Sequence, residues 1–150
     1  MMNRLLQAGL AAACAMTGSA AQAACDDPPS LVADRECMST VLSAAERTME
    51  RYLKVAQARV DEGEAWRGKR IDLARSQALW EAYRKGHCED VYESWAPATH
   101  AHRAQAKCEI AVVRQRTHDL WAAYLTSVDG TPPALPEPSF AADAVRPSRR

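Results

Sequence analysis

Met38, Val41, Leu42, Ala45, Met49, Tyr52, Leu53, Ala56 and Val60 recur at steps of three and four residues. That spacing is the period of one apolar helix face, and it predicts a helix from about Ser30 to Glu62. No proline occurs between Pro29 and Pro97, and only Gly63, Gly68 and Gly86 punctuate the interval. Long helices are therefore favoured over strands and turns. Asp61-Glu62-Gly63-Glu64, with Gly68 close behind, reads as a turn. A second helix is expected from about Lys69 to Tyr92, with Gly86 as a point of early fraying. At about 100° per residue, its Leu73, Ser76, Leu79, Trp80, Tyr83 and His87 share one half of the surface. Pro97 breaks the chain, and a third helix from about Thr99 to Val128 sets Ile110, Val113, Thr117, Leu120, Trp121 and Tyr124 on one face. Short connections favour antiparallel neighbours, so the expected fold is all-α, an up-down-up bundle of three helices.

Both ends depart from this pattern. Arg4 is the only charge before Asp26, Leu5 to Met16 is apolar and Ala-rich, and Ala21-Gln22-Ala23 follows. A positive start, a short apolar run and an A-x-A site describe an export signal spanning residues 1–23. A lipoprotein signal has a Leu-like residue three places before its cysteine; here Gln22 precedes Cys25 and Ala11 precedes Cys14 at that distance. The export is therefore expected to be periplasmic or secreted, and no further apolar run is long enough for a membrane span. Beyond Gly130, residues 131–150 contain five prolines and no periodicity, so residues 129–150 are expected to form a disordered tail.

Composition adds exclusions. With 47% apolar and 25% charged residues the chain lies among ordinary globular proteins. The 19 basic and 19 acidic residues cancel, and loss of Arg4 with the signal leaves a net charge of −1. Such a chain lacks the basic face that nucleic-acid binding requires. Of five cysteines, Cys14 falls in the signal, leaving Cys25, Cys37, Cys88 and Cys108. Four cysteines in an exported chain read as two disulfides. No C-x-x-C spacing supports a structural zinc site or, as C-x-x-C-H, a covalent haem, and no metal or other cofactor is expected. In the bundle all four cysteines reach the same end, so proximity does not fix the pairing. Cys25–Cys37 with Cys88–Cys108 is preferred because each closes a local loop, with two other connectivities open.

The most specific run is Gln77-x-x-Trp80-x-x-Tyr83-Arg84-x-x-x-Cys88. Gln77, Trp80, Arg84 and Cys88 fall on one strip about 80° wide. A guanidinium there requires carboxylate or carbonyl partners. Arg84 is read chiefly as a structural tie between helices, with a carboxylate- or phosphate-binding arginine as the competing role. This run, followed by Cys108-x7-Arg116-Thr117-x-x-Leu120, resembles the lysozyme-inhibitor LprI-like N-terminal domain of exported bacterial proteins. Cys37 and Tyr52 agree as well, and the likeness covers roughly Cys25 to Leu125. The chain departs from the family pattern at Thr48-Met49, at Ala96-Pro97-Ala98 and at Val113.

The resemblance implies an exported protein that binds lysozyme or a related cell-wall-degrading hydrolase. The alternative is a non-catalytic envelope accessory domain that binds peptidoglycan or another exported protein. C-type lysozymes are strongly basic, so an inhibitor is expected to present acids. Two clusters qualify by sequence: Asp61, Glu62 and Glu64 at the first turn, and Glu89, Asp90 and Glu93 beside Cys88. An enzyme is not expected, because no G-x-S-x-G, H-E-x-x-H or Walker loop occurs. His87, on the packed face, is expected to be a hydrogen-bonded structural residue.

Overall fold

The computed structural model describes residue 25 and residues 27–63, 71–127 and 129–140. The expected export signal, Cys14 and Glu64 lie outside them. Three helices form the body: α1 (Leu31–Glu62), α2 (Leu73–Trp95) and α3 (Ala101–Leu120), the last continuing into a π-helical turn at Trp121–Leu125. Three boundaries have a local cause in a capping residue. The Ser30 hydroxyl accepts from the Ala33 amide at 3.1 Å and opens α1, satisfying one of the amides a helix start leaves unpaired. Gly63, at φ 72°, closes α1 in the left-handed region where a side chain would be strained. Asp72 caps α2 by accepting from the Arg75 amide at 2.8 Å.

α2 runs past Gly86 without interruption and ends at Trp95, a few residues beyond the expected end at Tyr92. Gly86 is exposed, with open space where a side chain would stand, so nothing there opposes the helix beyond the modest propensity cost of glycine. Pro97 sets the stop by holding Ala96 extended, at ψ 144°.

Side-chain pairings give the directions. Arg103 near the start of α3 binds Asp34 near the start of α1, while Arg116 late in α3 binds Gln77 early in α2. α1 and α3 are therefore parallel and α2 runs the other way, in the expected up-down-up order. α3 packs along both partners. Ala45, Met49, Tyr52 and Ala56 of α1 meet Leu73 of α2, Val113 and Leu120 of α3, and Leu125 in the main core. Cys25, Met38 and Ile110 form a smaller cluster at the end of the bundle where α1 begins.

Two disulfides close that end, Cys25–Cys37 and Cys88–Cys108. Both sulfur pairs join residues close in sequence, the pairing preferred among the three open connectivities. Arg103 reinforces the same end by donating to the buried Asp34 carboxylate and to the Cys25 carbonyl.

α2 presents a different face from the half-surface expected for it. Leu79 and Tyr83 are 62% and 56% exposed, and His87 is exposed as well. Instead of holding a buried hydrogen bond, His87 stacks on Tyr83 at the surface, with ring centroids 5.3 Å apart. The buried residues are Leu73, Gln77 and Cys88. Helix geometry explains the rotation. Leu73 anchors one end of α2 in the core and Cys88 anchors the other through its disulfide. At about 100° per residue these two lie about 60° apart, whereas Leu79 lies about 120° from Leu73.

Residues 129–140, the described part of the proline-rich segment, carry no helix or strand, yet they lie against the bundle. The Ala134 amide donates to the Leu125 carbonyl at 2.9 Å, and Leu135 packs on the main core. The remainder of the expected disordered tail, residues 141–150, lies outside the described residues.

Candidate functional site

The middle of the seam between α1 and α2 is not closed by apolar contacts. α2 offers few large apolar side chains to this seam, and polar groups bridge the gap. Arg116 of α3 donates through Nε to Gln77 Oε1 at 3.1 Å and through Nη2 to Ser76 Oγ at 3.4 Å. Gln77 in turn donates to Glu81 Oε1 at 3.2 Å and approaches the Met49 sulfur at 3.8 Å. Arg84 Nη2 donates to Glu46 Oε1 at 2.6 Å across the seam. Both cations lie against the Trp80 ring, with the Arg84 and Arg116 guanidinium carbons 5.8 and 5.9 Å from its centroid. Burial lowers the Arg116 pKa below its usual value, opposed by electrostatic interaction with the neighbouring Tyr124 and Asp119 side chains. An arginine still keeps its proton in such a setting.

Above this network runs a groove of about 550 Å³, lined by Glu46, Met49 and Glu50 of α1, by Trp80, Glu81, Arg84, Lys85 and Glu89 of α2, and by Gln105 and Glu109 of α3. Five carboxylates face two cations there, and one carboxylate is already paired with Arg84. The surplus is three negative charges in a chain whose overall balance is close to zero. Met49 and Trp80 supply the apolar lining, and the carboxylates supply acceptors around it. Such a cleft suits long cationic side chains, which combine an apolar stem with a charged head.

Three of the motif residues, Gln77, Arg84 and Arg116, form the polar seam, with Trp80 against both guanidiniums. Thr117 is buried and donates to the Val113 carbonyl at 2.8 Å, and Leu120 is fully buried in the core. Tyr83 stands apart on the outer face of α2 with His87. Of the acids singled out in the sequence, Glu89 lines the groove, while Asp90 and Glu93 are exposed elsewhere on α2. Asp61 accepts from Gln57 Nε2 at 2.8 Å and, with Glu62, is exposed at the far end of α1. Sequence reasoning misses Glu46, Glu50, Glu81 and Glu109, because they cluster only once three helices are assembled. A partial signal exists: Glu46 and Glu50 are one turn apart on α1, and Glu81 and Glu89 are two turns apart on α2.

A family model described as lysozyme inhibitor LprI matches residues 13–120, most of the chain. The chain belongs to the lysozyme inhibitor LprI family. The match takes in all three helices and both cysteine pairs and stops at Leu120, before the π-helical turn and the proline-rich segment. No curated protein and no solved structure matches the chain. Among the described residues no group of three or more His, Cys, Asp or Glu side chains is placed to hold a metal ion. Among the same residues no helix is long and apolar enough to cross a membrane.

Proposed function

We propose that this protein is an exported inhibitor that holds a basic cell-wall hydrolase of the lysozyme type through the acidic groove between α1 and α2. The observation that carries the reading is the charge surplus of that groove in a member of a lysozyme-inhibitor family. A basic partner is steered toward such a surface, and its lysine or arginine side chains find carboxylates around an apolar lining. The two disulfides support residence in an oxidising compartment, periplasmic or extracellular. With its sulfur bonded to Cys37, Cys25 has no thiol left to carry a lipid, which favours a freely diffusing form.

In this reading Arg84 belongs to the scaffold and limits the acidity of the groove by pairing with Glu46. Arg84→Ala then lowers stability while leaving partner binding intact or stronger. Inhibition of lysozyme by the purified, oxidised protein tests the proposal. Loss of lytic activity at micromolar protein supports it. No effect on several lysozyme types at high micromolar concentration contradicts it, and recovery of peptidoglycan or another exported protein from envelope extracts would then favour the accessory-domain role.

A further inference from the structure

We infer that the bundle carries a binding site for an extended proline-rich peptide, and that residues 134–140 of the chain occupy it in cis. The site lies at the end of the bundle opposite the disulfides, and its occupant and Trp121 fall beyond the region the family model covers. It has two side-chain donors aimed at consecutive backbone carbonyls. Trp121 Nε1 donates to the Leu135 carbonyl at 3.1 Å, and the Tyr52 hydroxyl donates to the Pro136 carbonyl at 2.7 Å. Tyr52 is a core residue only 2% exposed, so its hydroxyl is fixed in place by the packing of α1. Leu135 enters the apolar surface that includes Tyr52, Trp121 and Tyr124. At the margin Glu137 meets His118 at 3.4 Å, and Phe140 lies beneath the Arg114 guanidinium at 5.3 Å.

Proline-rich segments are bound in grooves lined by aromatic rings, and here two of those rings also carry N–H and O–H donors set for successive carbonyls. The occupant has the matching chemistry. Thr131-Pro132-Pro133-Ala134-Leu135-Pro136-Glu137-Pro138 contains P-x-x-P. Each proline fixes its own φ and holds the preceding residue extended, so little chain entropy is lost on docking. Both hydrogen bonds fall on carbonyls, which any chain of the same shape offers, and one side chain supplies the apolar anchor. The segment is joined to the bundle through a turn at Asp129–Thr131, where Gly130 has φ 83° and Asp129 accepts from the Thr131 amide at 3.0 Å. The short tether keeps the segment at high effective concentration, so a peptide in trans competes for the site once the Leu135 anchor is withdrawn.

The test uses the full oxidised chain and a synthetic peptide of residues 130–141 carrying a fluorophore. Leu135→Asp withdraws the internal anchor and leaves the cleft intact. The altered chain is expected to bind the peptide at least tenfold more tightly than the unaltered chain, with movement of the Trp121 indole N–H resonance on titration. Adding Tyr52→Phe to Leu135→Asp is expected to weaken that binding several-fold, and a peptide with the Leu135→Asp change is expected not to bind. Should Leu135→Asp disturb the helical circular dichroism, Leu135→Ala carries the same comparison. A helical variant that fails to bind the peptide, or equal binding by altered and unaltered chains, overturns the inference and makes the segment a fixed part of the fold.

Discussion

Arg84 and Arg116 lie against the same indole, yet their surroundings assign them different energetic weights. Arg84 and Glu46 retain 23% and 31% of their side-chain exposure, so water screens their attraction. Arg84→Ala is expected to cost about 1 kcal/mol. Arg116 is the donor to Gln77, a buried side chain whose amide is otherwise engaged with Glu81 and Met49. Removing it strands a buried amide oxygen, and Arg116→Ala is expected to cost more, about 1–3 kcal/mol. Urea denaturation of the two variants checks the order. Tyr52→Phe removes only the hydrogen bond to Pro136 and should cost about 1 kcal/mol while the ring stays in place. Much of this is legible in the amino-acid sequence, because the strip of Gln77, Trp80, Arg84 and Cys88 follows from helical spacing. The identity of the partners is not, since Glu46 lies 38 residues from Arg84 and Pro136 lies 84 from Tyr52.

At the scale of elements, α1 and α3 are held by continuous apolar stripes, and their faces can be read from the positions of Met38 to Ala56 and Ile110 to Leu120. α2 is held differently, by Leu73 at one end, the Cys88–Cys108 disulfide at the other and a polar seam between. Its large apolar residues, Leu73, Leu79, Trp80, Tyr83, Val91, Tyr92 and Trp95, fall all round the helix, so periodicity does not tell Leu79 and Tyr83 from a packed face. The anchors decide the rotation, and an anchor such as a disulfide acts through its partner on another helix. The closed loops, with separations of 12 and 20 residues, each contribute about 3 kcal/mol in the chain-entropy account. Their removal should nevertheless differ in kind. A Cys88→Ser, Cys108→Ser chain is expected to melt roughly 12 °C lower or more and to lose hydrogen-exchange protection over residues 81–95 of α2. A Cys25→Ser, Cys37→Ser chain should lose protection at the start of α1 and leave α2 protected. Equal loss in α2 from both variants would contradict the role assigned to the Cys88–Cys108 bond.

Across the whole molecule, near-neutral composition conceals a polarised surface. Counting charges along the chain draws attention to local acid runs at 61–64 and 89–93, but charge that acts on a partner is summed over a surface. Glu46, Glu50, Glu81, Glu89 and Glu109 come from three helices, and none belongs to a dense acidic run except Glu89 with Asp90. Only the up-down-up packing and the rotation of α2, which turns Leu79 and Tyr83 outward, bring them around one groove. Because Glu50, Glu81 and Glu89 are exposed and Glu46 and Glu109 half-buried, their attraction for a basic partner should be screened by salt. Inhibition is expected to weaken several-fold between 0.05 and 0.5 M sodium chloride, as the screening length falls from about 14 Å to about 4 Å.

The groove, and not the acid runs at 61–64 and 89–93, is expected to meet the basic partner. Glu50 and Glu109 line it without belonging to either run, and neither is among the residues tying α2 to its neighbours. The measurement is the inhibition constant toward a C-type lysozyme for the oxidised protein and for a Glu50→Gln, Glu109→Gln variant of matched melting temperature. The expected result is inhibition by the parent and a loss of at least tenfold in the variant, with an Asp61→Asn, Glu62→Gln control unchanged. Equal inhibition by parent and groove variant, or loss in the control alone, would contradict the assignment of the groove.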